Sequence, residues 1–211
     1  MCGRFLLTYD IEAIMDHYHV PPGKVVYRPS PEIYPSQIIP IIYRAASDHH
    51  LEMVQWGFPN PFKKGLIINA RGETVAEKPM FKKAFSDSRC LIPANGFFEW
   101  KNEGKRKVKY RITHQDDRIF SMAGIYQTFS APDGHALTAC VIITTDANPN
   151  MAAIHNRMPV ILDETDEAEW LNSNDPNGLK TLLKPFDPDG TRLFIRPDVS
   201  ASELKGLFED E

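Results

Sequence analysis

The chain has 211 residues, 42% of them hydrophobic and 25% charged, enough to bury one well-packed core or two small ones. Its net charge of −4 argues against a uniformly basic nucleic-acid binder, and its composition excludes low-complexity, collagenous and disulfide-scaffold classes. No apolar run approaches the ~20 residues of a membrane span, and no secretory h-region follows Met1, so a cytoplasmic protein is expected.

Phe5-Leu6-Leu7 predicts a short strand. Asp10 then caps a helix in which Ile11, Ile14, Met15 and Tyr18 recur at helical spacing, stopped by Pro21-Pro22-Gly23. A loop rich in proline (Pro29, Pro31, Pro35) leads to two strands, Ile38–Tyr43 and Leu51–Phe58, closed by Pro59-Asn60-Pro61. Residues 77–88 predict a short helix with Phe81, Ala84 and Phe85 on one face. From Cys90 to Cys140 strands dominate: Val108, Tyr110 and Ile112 alternate with charged residues, and turns fall at Asp116-Asp117 and Pro132-Asp133-Gly134. Leu137–Thr145 is a buried strand, Asn148–Ile154 a helical turn that presents His155, Glu164–Leu171 a helix, Leu179–Leu183 a shorter one, and Leu193–Ile195 a last strand. The reading is a single α+β domain over residues 1–211, with a largely antiparallel, barrel-like sheet and short peripheral helices.

Three cysteines (Cys2, Cys90, Cys140), widely spaced and without a CxxC or His/Cys cluster, fit neither a disulfide framework nor a zinc site. Cys90 and Cys140 lie in apolar runs and read as buried thiols. No metal or organic cofactor is called for. Charge is uneven along the chain: residues 60–111 carry thirteen Lys/Arg against five Asp/Glu, a net of +8, leaving −12 elsewhere. A basic face on an acidic body suits contact with phosphate at one surface.

Cys2 directly follows the initiator methionine. Removal of Met1 would leave a free α-amine and a thiol on neighbouring carbons, a 1,2-aminothiol that condenses with an aldehyde to an imine and then to a thiazolidine ring. Their ordinary pKa values, about 7.7–8.0 and 8.5, lie close to neutrality. Three further islands hold chemically capable residues: Asn69-Ala70-Arg71-Gly72-Glu73, Arg89 to Trp100 (RCLIPANGFFEW), and His155-Asn156-Arg157-Met158-Pro159.

With Cys2-Gly3-Arg4, this ordered set resembles the SRAP (SOS-response-associated peptidase) family, from Cys2 to at least Pro159. The resemblance implies covalent crosslinking to abasic sites in single-stranded DNA, with Cys2, Asn69, Glu99 and His155 as the active site. Chemistry agrees with those roles. Cys2 is the nucleophile, and His155, whose ordinary pKa lies nearest neutrality, is a general acid at the sugar oxygen. Glu99 is a proton shuttle raised by its aromatic neighbours, and Asn69 holds the amine or sugar. Arg4, Arg71 and Arg157, each within two residues of one of these, are candidate phosphate contacts. Trp56, Pro40 and Met80 (with Phe58) are candidate apolar surfaces against bases, for which core packing is the competing account. Arg71 has a competing account too, a salt bridge to Glu73 or to an acid of the C-terminal third. The segment Pro31-Glu32-Ile33-Tyr34 departs from the family's usual Tyr-Asn-Ile-Ala. It puts a carboxylate where it would repel phosphate if it faced the DNA.

Three functions compete: an abasic-site shield acting as a monomer, with a weak lyase side reaction; a cysteine peptidase or autoprocessing enzyme using Cys2, His155 and Glu99; and a non-catalytic single-strand binding module.

Overall fold

The computed structural model describes residues 2–46, 48–104, 106–130 and 134–198. In chain order its elements are β1 (Arg4–Leu7), α1 (Ile11–His17), β2 (Ser30–Ile33), β3 (Ile38–Ala45), β4 (Asp48–Trp56), β5 (Phe58–Pro59), β6 (Leu66–Ile67) and β7 (Asn69–Arg71). Then follow α2 (Gly72–Val75), α3 (Pro79–Asp87), β8 (Arg89–Ala94), β9 (Gly96–Glu103), β10 (Arg106–His114), β11 (Phe120–Ser130) and β12 (Ala136–Asp146). The chain continues through α4 (Pro149–Ala152), β13 (Arg157–Pro159), β14 (Ile161–Leu162), α5 (Glu164–Asn172), α6 (Pro176–Thr181) and β15 (Leu193–Pro197). The fold is α+β with a barrel-like, largely antiparallel core, as the strand-rich pattern predicts.

Two sheets build it. In the first, β15-β10-β9-β1-β2 lie side by side, all antiparallel. In the second, β12, β4, β3, β8 and β11 are each bonded to the next, and β11 returns to β12, closing a ring. Closure removes the exposed edges that an open sheet would offer. The β12–β4 and β12–β7 pairs are parallel. Both faces of the ring are covered: the consecutive Leu91 and Ile92, which point to opposite sides of β8, are both fully buried, as are Ile41, Trp56, Met122, Val141 and Ile143. Cys90 and Cys140 are buried free thiols, as their apolar settings imply.

Local chemistry accounts for most boundaries. Asp10 Oδ1 accepts from the Ala13 N–H at 2.8 Å and starts α1, as a capping aspartate should. Asn148 does the same for α4 through the Met151 N–H at 2.8 Å, and His155 stands just past the end of that helix. The proline-rich loop contains a strand, β2, that the sequence reading leaves as loop. Pro31 is tolerated there because β2 is the edge of its sheet, where a missing N–H costs no ladder bond. The short α2 is also unanticipated. Asp116-Asp117 turns as expected, with Asp117 in the left-handed region, whereas Pro132-Asp133 lies outside the described residues. No helix among the described residues is long and apolar enough to cross a membrane.

Candidate active site

Strand pairing brings the four islands together in two steps. Antiparallel pairing of β1 with β9 sets Arg4 opposite Phe98 and Phe5 opposite Phe97, which carries the Cys2 end of the chain alongside Glu99 and Trp100. The last part of β12 then gathers the other two islands: Ile142 pairs with Asn69, Thr144 with both Arg71 and Pro159, and Asp146 with Arg157. Trp56 links the two halves. Its ring meets Phe5 edge-on at 5.1 Å, and its Nε1–H donates to the carbonyl of Ile68, the residue before Asn69, at 3.0 Å.

Cys2 is 0% exposed, and its Sγ donates to the Arg4 carbonyl at 3.7 Å. Burial, and after it the charge of Glu99, push the thiol pKa well above its ordinary value. Glu99, 3% exposed, has its own pKa raised by burial, and the neighbouring His155 opposes that rise. Cys2, Glu99 and His155 therefore share one electrostatic neighbourhood. His155 Nδ1 is held by the backbone of Arg157, 3.0 Å from its N–H nitrogen and 3.2 Å from its carbonyl oxygen. Both polar atoms of the Asn69 amide are buried without a hydrogen-bond partner among the described residues. A buried, unmatched amide costs about 1–3 kcal/mol, which argues for a bound group that completes it. Among the described residues no group of three or more His, Cys, Asp or Glu side chains is placed to hold a metal ion.

The candidate nucleic-acid contacts divide. Arg71 is exposed. Arg4 is partly exposed but engaged: it bonds Glu32 at 2.8 Å, stacks on Tyr34 at 3.7 Å and lies 5.7 Å from the Trp100 ring. Burial alone would raise the Glu32 pKa, yet Lys109 and Arg4 hold it below the ordinary carboxylate range. The expectation for Arg157 is corrected. Its guanidinium binds Glu73 at 2.6 and 3.0 Å, Asp146 at 2.6 Å and the Thr144 carbonyl at 2.7 Å, so two carboxylates already neutralise it. Glu73 thus pairs with Arg157, whereas the sequence reading set it against Arg71. Trp56, Phe58 and Pro40 are corrected as well, because all three are buried in the core and present no face to a base. Met80 is partly buried against that core. The sequence reading missed Lys109, Arg111 and Tyr34 as neighbours of Arg4; the signal available was the alternation of β10, which puts Lys109 and Arg111 on one face.

Comparison with known proteins fits this geometry. The sequence profile of the SOS response associated peptidase (SRAP) family matches residues 1–200. The chain belongs to the SRAP family. Among curated SRAP relatives, the abasic site processing protein YoqW of Bacillus subtilis (strain 168) is 41% identical, over 90% of this chain and 89% of its own. The abasic site processing protein YedK of Escherichia coli (strain K12) is 32% identical, over 81% and 79%. A crystal structure of a protein from Bacteroides thetaiotaomicron superposes with a TM-score of 0.84 at 28% identity, covering 97% of this chain and 94% of that one.

Proposed function

We propose that this SRAP chain processes abasic sites in single-stranded DNA by forming a covalent bond through Cys2. The observation that carries the reading is the sequestered Cys2–Glu99–His155 neighbourhood, together with the unpaired amide of Asn69 on β7, which β12 joins to the strand after His155. Once Met1 is removed, the α-amine of Cys2 is the stronger nucleophile, because burial keeps the thiol protonated. His155 gives a proton to the ring oxygen as the C1′–O4′ bond breaks, and the C1′ hydroxyl returns its proton to His155 as it becomes the aldehyde. The amine adds to the aldehyde carbon, Glu99 takes the amine proton and returns one to the departing hydroxyl, and water leaves as the imine forms. The thiol sulfur then adds to the imine carbon, its proton passes to nitrogen, and the thiazolidine closes. One water is lost overall.

The same imine acidifies the adjacent sugar proton, so weak strand cleavage competes until the thiol closes the ring. A peptidase needs a thiolate of depressed pKa, and a buried thiol pushed upward does not supply one. Arg71 and Arg4 are the phosphate contacts in this reading, and Met80 an apolar contact. Residues 1–211 act as one domain, as a monomer in the cytoplasm. Intact-mass measurement after mixing with an abasic single-stranded oligonucleotide tests it. The expected adduct is protein without Met1, plus DNA, minus one water, stable to heat. Cys2→Ser should leave only an adduct that needs borohydride to survive. No adduct from protein lacking Met1 would overturn the proposal.

A further inference from the structure

The outer face of the five-stranded sheet carries a charged row of which the proposed reaction uses only Arg4, at one end. Register sets Arg4 opposite Phe98, Phe98 opposite Arg111, and Arg111 opposite Arg196. Three cations therefore stand in one line across four strands, about 14 Å from end to end at the usual strand spacing. The neighbouring row on the same face contains Leu6, Gly96, Thr113 and Phe194. Gly96 lets the strands close up there: a Cβ at that position would come within 2.5 Å of Leu6 Cδ2 and 2.8 Å of the Ile112 carbonyl oxygen, so the floor of this face is tightly packed. Over this packed floor lies a groove of about 710 Å³ walled by Arg111, Arg196, Thr113 and Phe194, with Asp117 the one carboxylate in its lining.

Lys109, beside this row, is bound by Glu32 at 3.0 Å and Asp198 at 2.9 Å. The arginines are freer. Arg111 Nε lies 3.4 Å from Asp198 Oδ1 but forms no hydrogen bond, and among the described residues Arg196 has no ion-pair partner. Phe194 is 50% exposed, with the Arg196 guanidinium 5.7 Å from its ring. Paired guanidinium groups next to an exposed aromatic ring, on the same sheet face as Arg4, match a chain of phosphates and bases better than an apolar ligand.

We infer that this face binds the single strand flanking the abasic site, with Arg111 and Arg196 on phosphates and Phe194 stacked on a base. The inference rests on the abasic-DNA reading, so the experiment separates the two. Fluorescence anisotropy with an undamaged strand of about 15 nucleotides is compared with crosslinking of an abasic strand of about 3 nucleotides, with a single nucleotide on either side of the lesion. For Arg111→Gln with Arg196→Gln, the slope of log affinity against log salt should fall by about 1.4, about 0.7 for each phosphate lost. Phe194→Ala should weaken long-strand binding about tenfold. Both variants should crosslink the short strand at the wild-type rate. Unchanged long-strand affinity and slope overturn the inference, as does an equal loss on both strands. Binding of an acidic polyglutamate peptide that falls with these substitutions while DNA binding does not would assign the groove to a protein partner and overturn it too. If the wild type forms no adduct yet loses long-strand binding on these substitutions, this surface stands and the abasic reading alone fails.

Discussion

Asn69 offers the sharpest test of a single side chain. A polar residue that serves the fold loses hydrogen bonds when it is truncated, and stability falls. Asn69 makes none with its amide among the described residues, so Asn69→Ala removes a buried cost and no bond. The melting temperature should stay level or rise, while crosslinking slows by 10-fold or more; a drop in melting temperature would make Asn69 structural. Candidate site residues stand out in the sequence where chemistry singles out a residue type, as with Cys2, Glu99 and His155. Arginines were less legible, because a guanidinium serves phosphate and carboxylate equally. Arg157 looked like a phosphate ligand, but its two carboxylates, Glu73 and Asp146, lie 84 and 11 residues away in the chain and converge on it only through β12. Trp56 was ambiguous for a similar reason: an indole suits a base or a core, and the long-range contact with Phe5 decides it.

At the scale of elements, Arg89 does what no local signal announces. Its Nε donates to the Trp170 carbonyl at 2.6 Å, Nη1 to Phe85 and Ser86 at 2.8 and 2.6 Å, and Nη2 to Ser173 at 2.6 Å. Those carbonyls belong to the last turns of α3 and α5, where helices leave acceptors unmatched and where the macrodipole favours a cation. One buried guanidinium thus closes two helices against the start of β8, although by sequence it counts toward the basic segment. Arg89→Met should cost about 3 kcal/mol or more, because several buried carbonyls lose their donor together. Denaturant unfolding would measure it, and crosslinking well below the new midpoint should persist. A loss under 1 kcal/mol would show that water replaces the guanidinium. Strands such as β10 and β12 were legible from alternation and apolar runs. Their partners were not: β4 and β12 are far apart in sequence, and nothing local specifies the parallel contact that closes the ring.

Across the whole molecule, carboxyl groups shifted in opposite directions set opposite limits on stability. Burial would raise the Asp187 pKa, but the N–H groups of Leu193, Arg192 and Thr191 hold it below the ordinary range; Arg157 does the same for Glu73. Such groups add stability above the unfolded carboxylate pKa, and that stability is lost as pH falls through their folded values. Glu99 and Glu167 have the opposite sign. Burial raises Glu167 to about 7, and the chain Tyr18–Ser121–Glu167, with bonds of 2.8 and 2.6 Å, ties α1 and α5 to β11 through it. A raised carboxyl contributes fully below the unfolded value near 4, and its contribution disappears as pH rises through 7. The protein should therefore be most stable near the unfolded carboxylate value, at about pH 4.5–5, and lose melting temperature as pH rises from there through 7, with little further loss above. Glu99 cannot be neutralised without disturbing the proposed reaction, but Glu167 lies outside that site. Glu167→Gln keeps an acceptor for Ser121 and removes the ionisation, so it should gain about 2 kcal/mol at pH 8 and almost nothing at pH 5. For a chain of this size that is roughly 4–8 °C in melting temperature. Equal shifts at both pH values would mean that packing, not ionisation, governs the site, and the alkaline decline would then fall to Glu99, whose raised pKa serves the chemistry at the expense of the fold.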